Sequence, residues 1–228
     1  MAVIQGIVFD LDDTLYLERE YVQSGFNYVS KWLQKVTTAP SGQIFNYLWN
    51  LFEQGVRGST FNELLNAYPE LSQYVQVKDI IQAYRTHMPE INLLPDMPEL
   101  AYYFLDKGFR LGLLSDGAVE SQRSKLKALE LEALFKPLVL TDVWGQEFWK
   151  PHPKGYKYFE ETWGLQPHEL AYIGDNPEKD FATPRCLGWY TIRMRVDGQI
   201  RFTQEPPSPS HAADSEISNL GQLIDMLE

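Results

Sequence analysis

Short apolar runs and helical periodicity alternate along most of the chain. Residues 3–9 form an apolar, β-branched run, which predicts a strand buried on both faces. Four similar runs follow, at 109–114, 137–141, 170–173 and 190–194. Apolar residues at helical spacing predict helices between these runs, near 97–107, 118–130, 153–163 and 178–187. Because strands that alternate with such helices form parallel βαβ units, we predict an α/β fold with a doubly wound, mostly parallel sheet.

Residues 16–94 interrupt this alternation with helical patterns alone. Three helix faces are predicted there, around Phe26–Val36, Ile44–Phe52 and Ile80–Tyr84. We therefore predict a helical domain at 16–94, inserted after the first strand of a core formed by 1–15 and 95–228. Near the other end, a stretch rich in Pro, Ser, Glu and Ala at 203–216 predicts a surface loop, and the apolar spacing from Ile217 to Leu227 predicts a closing helix.

Composition narrows the classes of partner. The 228 residues carry 20 Lys and Arg against 31 Asp and Glu, so the net charge is −11. This charge argues against nonspecific binding to nucleic acid or to an anionic membrane. The single cysteine, Cys186, excludes an intramolecular disulfide and favours a reducing compartment. No segment reads as a signal peptide or spanning helix, so a cytoplasmic protein is predicted; its oligomeric state is left open.

The first acidic motif follows the first predicted strand directly. Asp10, Asp12 and Asp13 lie within four positions and are followed by Thr14. Ligands of open α/β sheets bind at the carboxyl ends of strands, and carboxylates this close together repel one another unless a cation neutralises them. Carboxylate oxygen suits Mg²⁺, which is commonly shared with a substrate phosphate. The alternative is a turn with a solvated acidic tip.

A second acidic motif follows another short apolar run. Gly174 precedes Asp175, and Asp180 comes five residues later. Two acidic strand ends of one parallel sheet can share a single cation, which favours a metal site over two unrelated turns. The alternative is an Asx-Pro turn at Asn176 in which Asp180 caps the next helix.

Two further segments suit an anion. Ser115 and Asp116 end the second predicted strand, where the Ser115 hydroxyl and nearby backbone N–H groups are predicted to hold phosphate oxygens; an ordinary N-cap serine is the alternative. Lys150 precedes a predicted helix, and its ammonium can neutralise a phosphoryl group in transfer. Lys154, one helical turn further on, is a rival for that role.

Taken together and in this order, the four segments resemble the signature motifs of the haloacid dehalogenase superfamily of phosphotransferases and hydrolases. The nucleophile motif is similar to Asp10-Leu11-Asp12-Asp13-Thr14, and the second motif to Ser115 after an apolar strand. The lysine motif is similar to Lys150-Pro151-His152-Pro153, and the fourth motif to Gly174-Asp175 with Asp180. The resemblance implies a Rossmann-like core, and the helical insertion resembles the α-helical cap of the family.

The resemblance also implies a mechanism. Asp10 attacks phosphorus and forms an aspartyl-phosphate, and Asp12 protonates the leaving oxygen and later activates water. Mg²⁺ is held by the carboxylates of Asp10 and Asp175 and by the backbone carbonyl of Asp12, while Ser115 and Lys150 hold the phosphoryl oxygens. Asp180 is expected to orient Lys150 or metal-bound water, and Thr14 to steady the loop.

The implied activity is hydrolysis of a small phosphorylated metabolite. An acid at Asp12 favours phosphoryl chemistry, because the dehalogenases of the superfamily lack an acid there. The family often has Ser and Asn where this chain has Asn176 and Lys179, which affects the positioning of water or lysine. Arg57, Glu18 and Tyr21 are candidate substrate contacts, with a solvated charge or a packed aromatic as the alternative for each. A phosphomutase and a catalytically idle regulator that uses the cap as a partner surface are the alternative functions.

Overall fold

The computed structural model describes residues 3–37 and 39–227, and its centre is a six-stranded sheet in which all neighbouring strands are parallel. The strands are β1 (Gly6–Phe9), β2 (Arg110–Ser115), β3 (Leu138–Leu140), β4 (Leu170–Gly174), β5 (Tyr190–Met194) and β6 (Ser215–Ile217). Their order is β3-β2-β1-β4-β5-β6, and the direction of progression reverses between β1 and β4. This doubly wound sheet confirms the predicted fold class and places the expected ligand crevice between those two strands.

Strands β1 and β4 are buried along their full length. Apolar residues occupy both faces of these central strands because helices cover both sides of such a sheet. The register pairs Phe9 with Leu113 of β2 and with Ile173 of β4. The carboxyl ends of β1, β2 and β4 therefore meet at one edge of the sheet.

Nine α-helices are found in the described part of the chain. They are α1 (Glu18–Thr37), α2 (Ser41–Glu53), α3 (Thr60–Ala67), α4 (Val77–Thr86), α5 (Met97–Asp106), α6 (Val119–Ala128), α7 (Lys154–Trp163), α8 (Ala182–Leu187) and α9 (Gln222–Leu227). The chain divides into two compact units, one of Met1–Arg19 with Ile91–Glu228 and one of Glu20–Glu90. The first unit contains the sheet. The second lies inside the range 16–94 that the sequence predicts as a helical domain.

The second unit contains one α-helix more than the apolar pattern predicts. Helix α3 has eight residues and a single buried residue, Leu64, so its apolar pattern is limited to Phe61, Leu64 and Leu65 and is too short to stand out in the sequence. A 3₁₀ turn at Pro69–Gln73 follows it and buries Leu71. The predicted all-helical character of this stretch agrees with the observed elements.

Two predictions near the carboxyl end of the chain have the wrong bounds, although a closing helix is present as α9. The region 203–216 was expected to be loop, but Ser215 begins β6, and Ile217 lies in that strand rather than in the closing helix. Only Ile217 of this strand is buried, because β6 is the edge of the sheet and pairs with β5 alone. Helix α8 also begins at Ala182, later than predicted, because the preceding residues form a loop around Asp180. Among the described residues, no helix has the length and apolar character needed to cross a membrane.

Candidate active site

The two acidic motifs meet at the switch point of the sheet. The backbone N–H of Asp10 donates to the carbonyl of Ile173 at 2.8 Å, so the ladder between β1 and β4 continues one residue past Phe9. This pairing brings Asp10 beside Asp175, and their side chains are almost completely buried. Carboxylate oxygens of Asp10, Asp175 and Asp180 lie within 4.8 Å of one another. The edge of the sheet thus concentrates three carboxylates in a space that excludes water.

Lys150 lies at the centre of this group. Its Nζ lies 2.6 Å from Asp10 Oδ1 and 2.8 Å from Asp180 Oδ1, and it donates to the hydroxyl of Tyr172 at 2.8 Å. Burial lowers the pKa of Lys150, but Asp10 and Asp180 outweigh burial and hold this pKa well above its usual value. The ammonium therefore stays charged and fixes the position of the Asp10 carboxylate.

The carboxylate of Asp116 positions the backbone of Lys150. Asp116 Oδ1 accepts hydrogen bonds from the backbone N–H of Lys150 at 3.1 Å and from Thr141 Oγ1 at 2.7 Å. Its Oδ2 lies 3.3 Å from Lys179 Nζ. Both carboxylate oxygens of Asp116 therefore have partners within the protein, and the backbone N–H is the group of this residue that can donate to an anion. Phosphate binding by Asp116 stays a prediction.

Lys154, the rival of Lys150, lies elsewhere. Its Nζ lies 4.0 Å from the centroid of the Phe148 ring and 4.5 Å from that of Trp144. These are cation–π contacts, which differ from the ion pairs of Lys150. The geometry thus brings Lys150 rather than Lys154 onto Asp10.

The three carboxylates carry more negative charge than Lys150 neutralises. Burial, opposed by Lys150, raises the pKa of Asp10 to about 6. Burial and then the charges of Asp180 and Asp10 raise the pKa of Asp175 well above its usual range. Asp175 Oδ2 is buried and has no hydrogen-bond partner among the described residues. A buried carboxylate oxygen without a donor, next to two further acids, fits a hard divalent cation such as Mg²⁺.

Asp180 is held by the loop that precedes α8. Its Oδ2 accepts the backbone N–H of Asn176 at 2.9 Å, and its Oδ1 contacts Lys150 and accepts the Tyr172 hydroxyl at 3.3 Å. Burial raises the pKa of Asp180, but Lys150 and Lys179 outweigh burial and lower it. The alternative that Asp180 caps a helix is wrong, because the residue at the N-cap of α8 is Phe181.

Gly174 makes this arrangement of Asp180 possible. A Cβ at position 174 would lie 2.6 Å from Asp180 Oδ2 and 2.9 Å from its Cγ, which no real Cβ tolerates. Any larger residue would displace the Asp180 carboxylate from Lys150. Arg193 supports the same edge of the sheet, because its Nε donates to the carbonyl of Asp175 at 3.1 Å.

The side chain of Asp12 points towards α6. Its Oδ1 lies 2.6 Å from Lys125 Nζ and also accepts the hydroxyl of Tyr16, and its Oδ2 accepts Gln122 Nε2 at 2.8 Å. Burial raises the pKa of Asp12, but Lys125 and the hydrogen bonds together lower it. Because the carboxylate has three donors of its own, the part that is left for a metal ion is the backbone carbonyl, as the resemblance implies.

Ser115 lies at the end of β2, and its hydroxyl oxygen accepts Gln122 Nε2 at 2.6 Å. It is buried and does not cap a helix, because α6 begins only at Val119 with Ala118 at its N-cap. The alternative of an ordinary N-cap serine is therefore wrong. The structure brings Ser115, Asp12 and Gln122 together in one hydrogen-bonded group.

Sequence reasoning missed Gln122, Lys125 and Tyr172. A signal for the first two was present, because α6 has few apolar residues yet buries the polar residues Ser121, Gln122 and Lys125 with Leu126. Polar side chains at i and i+3 of a helix share a face, and a helix that follows Ser115 presents that face to the site. Tyr172 gave no such signal, because a tyrosine in an apolar strand is indistinguishable from core.

The loop after Asp12 is held by Asp13. Its Oδ1 accepts the backbone N–H of Glu18 and its Oδ2 accepts that of Ile200, both at 2.7 Å, and its φ is +55°. Burial raises the pKa of Asp13 to about 7. The Thr14 hydroxyl is buried and has no hydrogen-bond partner among the described residues, so it adds no hydrogen bond to the loop. The hydrogen bonds that hold this loop are made by the Asp13 carboxylate.

The three candidate substrate contacts all have packing or ionic partners. Glu18 Oε2 lies 3.6 Å from Arg201 Nη1. Arg57 donates to the carbonyls at 52 and 56 and lies over the Phe52 ring. Tyr21 is buried against the rings of Tyr84 and His87. Their roles in substrate binding stay predictions.

Known proteins that are similar to this chain include phosphatases and a hydrolase of similar fold. The chain is 27% identical to a glyceraldehyde 3-phosphate phosphatase of Methanocaldococcus jannaschii over 236 residues, which cover 99% of this chain and 98% of that protein. It is 25% identical over 149 residues to a phosphoserine phosphatase of Thermus thermophilus, covering 65% of this chain and 57% of that protein. A HAD hydrolase of Bacillus subtilis solved with magnesium is similar in fold, with a TM-score of 0.69, 22% identity and 99% of each chain covered.

The family model of haloacid dehalogenase-like hydrolases matches residues 7–193. This match begins in β1, ends in β5 and includes all four motifs, which contain Asp10, Ser115, Lys150 and Asp175. The chain belongs to the haloacid dehalogenase-like hydrolase family.

Proposed function

We propose that this protein is a Mg²⁺-dependent phosphatase that hydrolyses small-molecule phosphate monoesters through an aspartyl-phosphate on Asp10. The observation that carries the proposal is the buried Asp10 carboxylate, fixed by Lys150 at 2.6 Å and next to an oxygen of Asp175 that has no hydrogen-bond partner. This geometry supplies a nucleophile of fixed orientation, a fixed cation and ligands for a metal ion.

In the first step, a carboxylate oxygen of Asp10 forms a bond to phosphorus while the bond from phosphorus to the ester oxygen breaks. Lys150 and the Ser115 hydroxyl stabilise the negative charge on the phosphoryl oxygens. Asp12 donates a proton to the departing alkoxide. The carboxylates of Asp10 and Asp175 and the backbone carbonyl of Asp12 would hold Mg²⁺, which would supply positive charge next to the phosphoryl oxygens.

In the second step, water attacks the aspartyl-phosphate, the bond from phosphorus to Asp10 breaks, and Asp12 takes a proton from the water. The lowered pKa of Asp12 suits this role, because Lys125 keeps the free carboxylate ionised. A phosphate dianion next to Asp12 raises its pKa, since like charges disfavour ionisation, and this favours uptake of the proton that the first step needs.

The relatives and the helical insertion support a choice of substrate class. Glyceraldehyde 3-phosphate and phosphoserine, which name the two curated relatives, are small phosphate monoesters and are the first compounds to try. We propose that the helical unit is a cap that selects among such compounds, with Arg57, Glu18 and Tyr21 as candidate contacts. A cytoplasmic location is part of the same proposal.

The decisive experiment measures release of inorganic phosphate from an aryl phosphate and from a panel of phosphometabolites, with Mg²⁺ and with excess chelator. We expect turnover only with the metal, and loss of turnover in Asp10→Asn, which keeps the volume but removes the nucleophile. Asp106→Asn, at the exposed end of α5, is the matched control and should retain full activity.

Other outcomes point to the other functions. An isomerised sugar phosphate without free phosphate would indicate a phosphomutase. Absence of turnover across the panel, together with saturable binding of a protein, would indicate a regulator. Full Mg²⁺-dependent activity in Asp10→Asn would refute the proposed mechanism.

A further inference from the structure

Gln122 is a buried polar residue of α6 that lies outside the four motifs and contacts two of them. Its Nε2 lies 2.6 Å from Ser115 Oγ and 2.8 Å from Asp12 Oδ2. Ser115 follows β2 and Asp12 follows β1, so one amide group joins the ends of two neighbouring strands. Gln122 is only 1% exposed, and its hydrogen bonds are therefore protected from competition with water.

The direction of these hydrogen bonds follows from the chemistry of the groups. An ionised carboxylate only accepts hydrogen bonds, so the atom that contacts Asp12 Oδ2 must be the amide nitrogen of Gln122 and not its oxygen. The same nitrogen contacts Ser115, and an amide nitrogen only donates. Ser115 Oγ is therefore an acceptor towards Gln122, and its own proton must point elsewhere.

Among the described residues, the Ser115 hydroxyl proton has only a weak hydrogen-bond acceptor. Its acceptor in the structure is the carbonyl of Asp116 at 3.4 Å, which is long for a hydroxyl donor. An incoming phosphoryl oxygen is a stronger acceptor than this carbonyl, because a hydrogen bond to a charged group is stronger and shorter. Gln122 therefore leaves the Ser115 hydroxyl ready to donate to an anion.

Lys125, one helical turn further on, completes the arrangement at Asp12. It holds Oδ1 at 2.6 Å while Gln122 holds Oδ2, so both oxygens of the carboxylate are fixed from the same helix. Lys125 and Tyr16 both contact Oδ1, and neither restrains Oδ2. The contact from Gln122 restrains this second oxygen.

We propose that Gln122 is a positioning residue that aims the hydroxyl proton of Ser115 at the phosphoryl group and fixes the rotation of the Asp12 carboxylate. This inference rests on the proposed phosphatase function and adds a residue to the machinery of that site. Gln122 acts through Ser115 and Asp12 and has no direct contact with the reacting atoms in this proposal.

The test compares Gln122→Met and Gln122→Glu, each alone and combined with Ser115→Ala. Aryl phosphate turnover gives kcat and KM, inhibition by inorganic phosphate reports anion binding, and Tm reports folding. Arg123→Gln, exposed on the same helix, is the control. We expect Gln122→Met to weaken phosphate inhibition about tenfold, since one hydrogen bond to a charged group is weakened, and to lower kcat. Gln122→Glu should weaken phosphate inhibition and lower kcat further, because the new carboxylate accepts the Ser115 proton and repels Asp12.

The combination with Ser115→Ala separates positioning from packing. If Gln122 acts through Ser115, Gln122→Met should add little to the loss of phosphate binding in Ser115→Ala. Phosphate inhibition within twofold of wild type in both single variants, or full additivity with Ser115→Ala, would overturn the proposal. Gln122→Glu retains the side-chain length, so its comparison with Ser115→Ala decides the question if the Met variant does not fold.

The proposed function fails in a different way. A wild-type protein that releases no phosphate with Mg²⁺ would refute the phosphatase. The affinity for inorganic phosphate, measured by calorimetry in the presence of Mg²⁺, would still test the positioning role of Gln122. We expect Gln122→Met to bind phosphate more weakly than the wild type. Equal binding by wild type and variant, or none by either, would overturn the positioning role.

Discussion

Asp10 and Asp12 are two residues apart in the sequence, yet they lie in opposite electrostatic surroundings. Asp10 belongs to the Lys150 cluster, which consists of Asp10, Asp175, Asp180 and Lys150. In this cluster three carboxylates lie close together and two of them, Asp10 and Asp180, contact one ammonium; burial raises the pKa of Asp10 to about 6. The excess of negative charge is what a bound cation would neutralise.

Asp12 belongs to the Lys125 cluster, which consists of Asp12, Gln122, Lys125 and Tyr16. Here one carboxylate has three donors, and its pKa is lowered despite burial. The comparison shows that two acids of one motif can have different functions because different parts of the chain supply their hydrogen-bond donors: Lys150 for Asp10, and helix α6 for Asp12. The Asp10 side of the motif has more carboxylates than cations and suits a metal ion and the nucleophile. The Asp12 carboxylate has a donor on each oxygen and suits proton transfer.

The largest expected effect comes from removal of the ammonium of the Lys150 cluster. In Lys150→Met the buried carboxylates of Asp10 and Asp180 lose the cation that contacts both of them in the described part of the chain, and breaking a buried ion pair in this way costs about 3–5 kcal/mol. Asp10 also loses its orientation, so we expect turnover of an aryl phosphate to fall about 1,000-fold or more. Chemical denaturation and steady-state kinetics measure the two losses.

Lys154→Met is the matched control for this prediction. Lys154 lies over Trp144 and Phe148 and contacts none of the three carboxylates in the described structure, so we expect activity within about twofold of wild type and a stability loss of about 1 kcal/mol or less. Equal losses of activity in the two variants would contradict the assignment of the phosphoryl-binding role to Lys150.

The next largest effect concerns Asp175. Asp175→Asn retains the shape of the side chain but removes a charged ligand, and we expect Mg²⁺ affinity to fall about 100-fold, or about 2.7 kcal/mol. The increase in Tm that Mg²⁺ produces in the wild-type protein should then disappear at the same metal concentration. Thermal melts with and without Mg²⁺ measure this difference; an unchanged shift would show that the ion lies elsewhere.

The sequence predicts the strand ends of the Lys150 cluster well, for a physical reason. The residues involved follow buried apolar strands, and parallel strands of one sheet bring their carboxyl ends to one edge. The identity of the carboxylates and of Lys150 could therefore be proposed from the order of the motifs. That Lys150 and not Lys154 contacts Asp10 could not, because the choice depends on how the loop before α7 is held by Asp116.

The Lys125 cluster shows where sequence reasoning ends. Gln122 and Lys125 lie on the helix after β2 rather than at the end of the strand, so their spacing gives only a weak signal, and surface polar residues on a helix are far more common than buried ones. Helix α3 and strand β6 are not predicted for a related reason, because each is short and buries a single residue, so its apolar pattern is too brief to stand out. Features that depend on tertiary packing of polar or exposed residues leave too weak a signal in one sequence.

A smaller effect is expected in the Lys125 cluster. Lys125→Met removes one charge-assisted hydrogen bond from Asp12, and we expect kcat to fall about tenfold, with a stability loss of about 2 kcal/mol. The stabilisation by Mg²⁺ should remain close to that of the wild type, because the two proposed carboxylate ligands, Asp10 and Asp175, lie in the Lys150 cluster. Asp12 is proposed to bind the metal through its backbone carbonyl and not through the carboxylate that Lys125 contacts. Kinetics and thermal melts on one preparation measure both; loss of the Mg²⁺ shift would show that the clusters are not independent.

The smallest expected effect is the pH dependence of metal stabilisation. The pKa of Asp10 is raised to about 6 and that of Asp175 is also raised, so both carboxyls bind protons more readily in the folded, metal-free protein than in the unfolded chain. Their contribution favours folding at low pH and is lost as pH rises through the folded pKa values. Mg²⁺ must displace these protons, so the increase in Tm on adding metal should be several-fold larger at about pH 8 than at about pH 5.5. Asp12 and Asp180, whose pKa values are lowered, are already ionised across this range and should not contribute. Thermal melts at both pH values measure this difference, and Asp175→Asn is the control, in which Mg²⁺ should change Tm little at either pH. If the increase in Tm with Mg²⁺ were independent of pH, the Lys150 cluster would already be ionised without the metal. The contrast between the two clusters would then be wrong.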